Sequence, residues 1–192
     1  MSARVQAPAA RGRELARTSV LVAAGSLLIV LRIGLLALSP EARGLAYGAL
    51  FAGLLAACLL VPVTPGRRHL PAALVIAVGA GAIVAALLAA GHEVPAPYGP
   101  WTLPLAVLAA VAEEALFRRV AYAALEPYGP GLAIAVTAAL FALIHVPLYG
   151  VAVLPVDLGA GLLFGWQRWA SGSWGAPAAT HALANVLAVL AR

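Results

Sequence analysis

The chain contains no lysine, a single cysteine and very little charge. Of its 192 residues 10% are charged, against about 25% in an ordinary soluble domain. The lone Cys58 excludes an internal disulfide and any cysteine-cluster metal site, and within its apolar run it reads as a packing residue. All twelve basic residues are arginine, which together with the abundance of alanine marks a GC-rich, prokaryotic genome and carries no functional message. What fills the chain instead is apolar: 64% of residues are hydrophobic and the mean hydropathy is +0.99. The composition is that of an integral membrane protein, here of a prokaryotic cytoplasmic membrane. A net charge of +5 would suggest a nucleic-acid partner in a soluble protein; here the arginines set topology, and no nucleic acid is implied.

Seven apolar segments read as helices, at about 18–38, 45–63, 70–91, 101–125, 131–148, 154–170 and 174–191. Proline, glycine and serine separate them, at Ser39-Pro40, Pro62–Pro65, Gly91–Pro100, Pro127–Gly131, Pro147–Gly150 and Ser171–Ser173. The expected fold is all-α: a polytopic membrane helical bundle of about seven transmembrane helices. Residues 1–17, with Arg4, Arg11, Arg13 and Arg17, form a basic cytoplasmic tail, and 18–192 form one membrane-embedded domain. The run after the tail is too long for a signal-peptide core and has no convincing cleavage site. Placing the N-terminus in the cytoplasm puts Arg67, Arg68, Arg118, Arg119 and Arg168 toward cytoplasmic ends and leaves Arg43 and Arg192 outside. Trp101, Trp166, Trp169 and Trp174 fall near span ends, as interfacial anchors do. There is no internal repeat.

One apolar segment carries charges that a bilayer resists. Between Trp101 and Leu125 lie Glu113, Glu114, Arg118 and Arg119. Each charge at the bilayer centre costs roughly 2.5–3.5 kcal/mol on insertion scales, so four within seven positions must face protein or water. At 100° per residue Glu114 and Arg118 share a face one turn apart and can pair. Glu113 shares its face with Phe117 instead, and is the carboxylate less neutralised within its own helix. A desolvated carboxylate suits a general base for water; the competing reading is that both glutamates only lock helices together through the arginines.

The histidines weigh against that competitor. His69 and His92 lie in loops and read as solvated. His145 ends an apolar helix with Phe141 one turn before it, and His181 and Asn185 are one turn apart on the last helix.

Glu113-Glu114-x-x-x-Arg118, Phe141-x-x-x-His145 and His181-x-x-x-Asn185, in this order and each in its own apolar span, resemble the three-motif signature of the CAAX-protease and bacteriocin-processing (CPBP) family of intramembrane endopeptidases, the type II CAAX-protease-like enzymes. The stretch Gly161–Val186 also resembles that family's C-terminal half; the resemblance covers about 101–190, and no motif position departs from it. It implies that Glu113, helped by His145, activates the attacking water. His181 and Asn185 would stabilise the oxyanion, with Glu114, Arg118 and Phe141 as structural support. A rival reading within the family makes Glu113, His145 and His181 ligands of a divalent metal such as zinc. Asparagine is a poor zinc ligand and suits a donor pair better, so the metal-free glutamate mechanism is favoured and no cofactor is expected. The implied partners are the lipid bilayer and a membrane-associated peptide or protein substrate. A non-catalytic scaffold or immunity protein of the same fold would be expected to lose these four residues first. A proton-coupled transporter would show repeats and broken helices in both halves.

Depth makes one demand. Counted along their helices, Glu113 and His145 lie roughly 18 and 21 Å from one side, but His181 only about 10 Å. The three converge if the hairpin at Ser171–Ser173 is sunk into the bundle, with Gly172 and Gly175 allowing close backbone packing. Of the remaining residues, Asp157 reads as a helix cap or dipole partner, Gly161 and Gly165 as a close helix contact, and Glu126 as interfacial. Arg32 reads as snorkelling or paired, and Arg119 as snorkelling to the cytoplasmic interface.

Overall fold

The computed structural model describes residues 19, 22–27, 29–31, 33–90 and 102–190; the basic tail, Arg32, His92 and Trp101 lie outside them. Among the described residues there is helix and no strand. The first helix, α1, is described over 22–27 and 29–31 and closes in a 3-10 turn at Gly34–Ala37. α2 is Pro40–Leu60 and α3 is Ala72–Ala90. The fourth rod, α4, runs as α-helix over Thr102–Glu114, widens to a π-helix over Ala115–Ala121 and returns to α-helix over Tyr122–Leu125. α5 is Pro130–Tyr149, α6 is Leu154–Ser171 and α7 is Gly175–Leu190.

The seven expected segments are these seven helices, and local chemistry sets their ends. Ser39 caps α2, its hydroxyl accepting from the Ala42 amide at 3.4 Å, and Pro40 takes the first helical position, where its missing N–H is no loss. Pro147, expected to break α5, is carried inside it, and the helix stops at Gly150 (φ +78°) instead.

Among the described residues three helices are long and apolar enough to cross a membrane: Ala42–Leu60, Ala72–Ala89 and Pro130–Tyr149. α4 and α6 carry the charged and amide side chains that the site requires, and α7 has 16 residues. Leucines stand exposed on the outside, Leu60 and Leu88 among them, as lipid-facing side chains do.

α4 is the inner rod. Its residues Leu116, Phe117 and Val120 pack with Tyr47, Phe51 and Leu54 of α2, Phe141 and Ile144 of α5 and Phe164 of α6. α5 and α6 touch backbone to backbone: a Cβ on Gly161 would lie 2.8 Å from the Ala138 Cα, and one on Gly165 would lie 3.0 Å from the Ile134 Cγ2. That is the close contact their spacing suggested. A smaller cluster of Val75, Ala170 and Ala176, flanked by Trp166 and Trp169, joins α3, α6 and α7. Gln167 pins it by donating to the Val75 carbonyl at 2.9 Å and the Thr180 hydroxyl at 2.8 Å.

The α6–α7 hairpin is covered by the segment between α2 and α3. The amides of His69 and Leu70 donate to the Ala170 carbonyl at 2.9 and 2.8 Å, and the Gly66 amide donates to the Gly172 carbonyl at 3.1 Å. Ser171 and Gly172 are buried there, while Ser173 and Gly175 are exposed. Gly172 is required twice over: its φ is +68°, and a Cβ would sit 2.6 Å from the Gly66 carbonyl oxygen.

Three of the arginines used to orient the chain are not loop residues. Arg118 and Arg168 are buried, and Arg119 donates to the Cys58 and Leu59 carbonyls at the end of α2 rather than snorkelling. A guanidinium supplies there the donors that the last turn of a helix lacks.

Candidate active site

Glu113 and Glu114 end the α-helical part of α4, both buried, directly before the π-turn. In that turn the Tyr122 amide bonds back to the Phe117 carbonyl, five residues earlier, so the rod is wider here than an α-helix. The Arg118 carbonyl accepts instead from the Arg168 Nε at 3.0 Å. Such π-turns gather at functional sites.

Glu114 pairs with Arg118 as the one-turn spacing suggested. Nε stands 3.2 Å from Oε2 and Nη1 donates to Oε1 at 3.3 Å, with both side chains fully buried. Arg118 spends its remaining terminal nitrogen on the Gly161 carbonyl at 3.0 Å. Its guanidinium carbon also lies 4.8 Å from the Phe141 ring centre and 5.4 Å from that of Phe164.

The same Glu114 oxygen receives His181: Nδ1 to Oε1 is 3.0 Å. A carboxylate held by an arginine only accepts, so Nδ1 carries the proton and Nε2 faces outward from the pair. Glu113 belongs with the other histidine, its Oε2 lying 3.8 Å from His145 Nε2. His145 Nδ1 is 2.8 Å from the Phe141 carbonyl, which also can only accept, so the proton of the neutral ring sits on Nδ1 and the lone pair of Nε2 points toward Glu113.

Two carboxylate–imidazole pairs therefore stand back to back on adjacent residues of α4, with Phe141 between them. Its ring centre is 4.8 Å from His145, 5.5 Å from His181 and 5.8 Å from Phe117. Phe164 stacks on His181 at 4.9 Å and 22°.

Asn185 is placed differently. Its Nδ2 donates to the Ala106 carbonyl at 2.9 Å, seven residues before Glu113 on α4. That is two turns, or roughly 10 Å along the helix. One of its two amide hydrogens is taken by this bond and the other remains for a ligand. Of the hairpin expected to sink into the bundle, Ser171 and Gly172 are buried whereas Ser173 and Gly175 are exposed, Gly175 having no close backbone neighbour; His181 nevertheless reaches the residue next to Glu113.

Among the described residues no three His, Cys, Asp or Glu side chains converge as a ligand set. Of the three residues named for such a role, His145 faces Glu113 while His181 Nδ1 is engaged by Glu114.

Three residues of the site carried other meanings in the sequence. Phe164 is not singled out in the sequence, although it lies between the two contact glycines. Arg168 was a topology marker; it bonds the Arg118 carbonyl, lies 3.7 Å from Glu126 and covers the Tyr122 ring at 4.9 Å. Asp157, read as a cap or dipole partner, is in the first turn of α6, but its Oδ2 lies 3.6 Å from His145 Nδ1. The signal was present: His145 and Asp157 are each six residues from Val151, in the turn of the hairpin that α5 and α6 form (151 − 145 = 157 − 151 = 6).

Residues 93–187 match a family model described as Rce1-like, type II CAAX prenyl endopeptidase Rce1-like. No curated protein and no solved structure matches the chain.

Proposed function

The chain belongs to the type II CAAX-protease-like (CPBP) family, and from that premise we propose that it is an intramembrane endopeptidase that hydrolyses a peptide bond in a membrane-associated peptide or protein. The observation that carries the reading is the doubled carboxylate–imidazole arrangement on Glu113 and Glu114.

The two pairs have different parts in this reading. The 3.8 Å between Glu113 Oε2 and His145 Nε2 is too long for a direct hydrogen bond and suits a water held between them. Glu113 takes a proton from that water as its oxygen attacks the substrate carbonyl, and the Nε2 lone pair of His145 helps orient it. The carbonyl oxygen gains the charge. His181 and Asn185 stabilise it with the Nε2–H of His181 and the second amide hydrogen of Asn185. Because Nδ1–H is committed to Glu114, His181 can donate from Nε2 only as an imidazolium, and the buried Glu114 carboxylate provides its counter-charge. As the tetrahedral species collapses the C–N bond breaks, and the proton held at Glu113 passes to the departing amine. Arg118 and Phe141 keep the two pairs in register.

The reading is drawn without a metal on the chemistry of the donor set, in which Asn185 suits an oxyanion donor and is a poor zinc ligand. The test compares new peptide termini in membranes carrying wild type or Glu113→Gln, each with and without a chelator. Termini that vanish with Glu113→Gln and survive chelation are the expected result. Loss on chelation, restored by added zinc, would move the mechanism to a metalloprotease. Unchanged termini at equal accumulation of both proteins would leave a non-catalytic scaffold. Proton flux in liposomes that stops with Glu113→Gln, with no proteolysis, would make it a transporter.

A further inference from the structure

We propose that Asp157 is a positioning residue of this site, holding the His145 ring with Nε2 turned toward Glu113; the inference rests on the protease reading above. Two groups that can only accept a hydrogen face one edge of His145, one hydrogen-bonded to it and one in charge contact. The Phe141 carbonyl lies 2.8 Å from Nδ1, and Asp157 Oδ2 lies 3.6 Å from the same atom. The opposite nitrogen stands 3.8 Å from Glu113. Turning the ring over would put a carbon against both acceptors and take Nε2 away from Glu113. The ring is thus pointed by its surroundings, with Phe141 at 4.8 Å and the near-parallel Tyr149 at 6.0 Å against it.

The two acceptors differ in what they fix. The Phe141 carbonyl belongs to α5, the helix that bears His145, and would travel with the ring if α5 shifted. Asp157 comes from α6 and is the charge that a second helix presents to the same edge of the ring, within electrostatic reach at 3.6 Å. Its placement is not that of an N-cap: the cap position is Val153, which makes no side-chain bond, and Asp157 lies beyond it in the first turn. Its side chain is only 16% exposed, and a carboxylate costs less there beside an N–H than against apolar neighbours. A carboxylate on the far nitrogen of a working histidine is a recurrent way of fixing both tautomer and ring orientation.

The test uses the full chain in lipid nanodiscs and an internally quenched peptide built on a terminus that Glu113→Gln removes. Asp157→Ala and Asp157→Ser both lose the contact. Serine is too short to reach His145, yet is well tolerated near a helix start, so it keeps the test alive should the alanine variant not fold. Both should lower kcat roughly 10–100-fold, with KM within about twofold. Asp157→Asn, which keeps an acceptor oxygen at the same reach, should recover most of the loss. In parallel, 15N spectra should show His145 as one Nδ1–H tautomer in the wild type, and moving toward exchange-averaged values in the serine variant.

A kcat within about twofold of wild type in a folded loss variant would overturn the assignment. So would unmoved His145 signals, or an asparagine variant as impaired as alanine. If Glu113→Gln itself leaves cleavage intact, the protease reading falls instead, and the His145 spectra still decide whether Asp157 orients the ring.

Discussion

Arg118 is the side chain whose removal leaves the most unmet. It is fully buried, faces Glu114 with two nitrogens and holds the Gly161 carbonyl with a third. A planar fork with this many donors has no equivalent in lysine. Arg118→Met should destabilise the chain by about 3–5 kcal/mol, because it takes from a buried carboxylate the guanidinium that faces both its oxygens and leaves it with His181. The double variant Glu114→Leu/Arg118→Met should regain most of that stability, since a buried pair replaced by apolar groups of similar volume is often neutral. It should not regain activity, because His181 then has no counter-charge. Thermal unfolding in detergent, read beside cleavage, checks both halves; a double variant that cleaves normally would remove Glu114 from the site. The pair itself was legible in the sequence as a one-turn spacing. Its two outward contacts were not: Arg118 to Gly161 spans 43 positions and His181 to Glu114 spans 67, and spacing along one helix says nothing about which other helix arrives there.

Helices were legible where apolar runs and breakers agree, and their boundaries came close for that reason. Periodicity could not show that α4 is α-helical only to Glu114 and then π over seven residues. Nothing in ALFRRVA departs from a helical composition, and the Arg118 carbonyl within it accepts from Arg168, which lies 50 positions away. The glycines of α6 were legible as a contact surface, and they give a matched comparison within one helix. A Cβ on Gly161 would collide with Ala138 backbone, whereas one on Gly159 would meet nothing within 4 Å. Gly161→Ala should cost about 1–3 kcal/mol by forcing α5 and α6 apart. It should cut activity further, because the Gly161 carbonyl anchors Arg118. Gly159→Ala should be neutral or stabilising by up to about 1 kcal/mol through helix propensity. Unfolding midpoints of the two variants side by side are the check, and equal effects would show that the α5–α6 contact has room the geometry denies it.

Over the whole molecule, burial changes what the arginines say about orientation. The positive-inside rule counts arginines in short loops and near span ends, as charges that resist translocation. Arg118 and Arg168 are interior groups with structural partners, and Arg119 is bound to the end of α2. Arg43 is likewise committed, its Nη2 donating to the Leu36 and Leu38 carbonyls at 2.7 and 2.8 Å. What remains is the basic tail together with Arg67 and Arg68, which are exposed in the segment between α2 and α3. The expectation that this segment lies on the same side as the N-terminus then rests on fewer charges than the sequence offered. Arg67→Cys should therefore be labelled by a membrane-impermeant maleimide only after the cytoplasmic face is opened. The native Cys58 is buried and gives little background. Arg67→Gln/Arg68→Gln should yield a mixed orientation by the same assay. Arg168→Gln should lower the unfolding temperature without changing orientation, because its bond to the Arg118 carbonyl lies inside the folded bundle. Labelling of Arg67→Cys from outside intact cells would reverse the topology. It would also place the Gly66–Leu70 cover over the hairpin, and the Gly172 turn beneath it, on the external face.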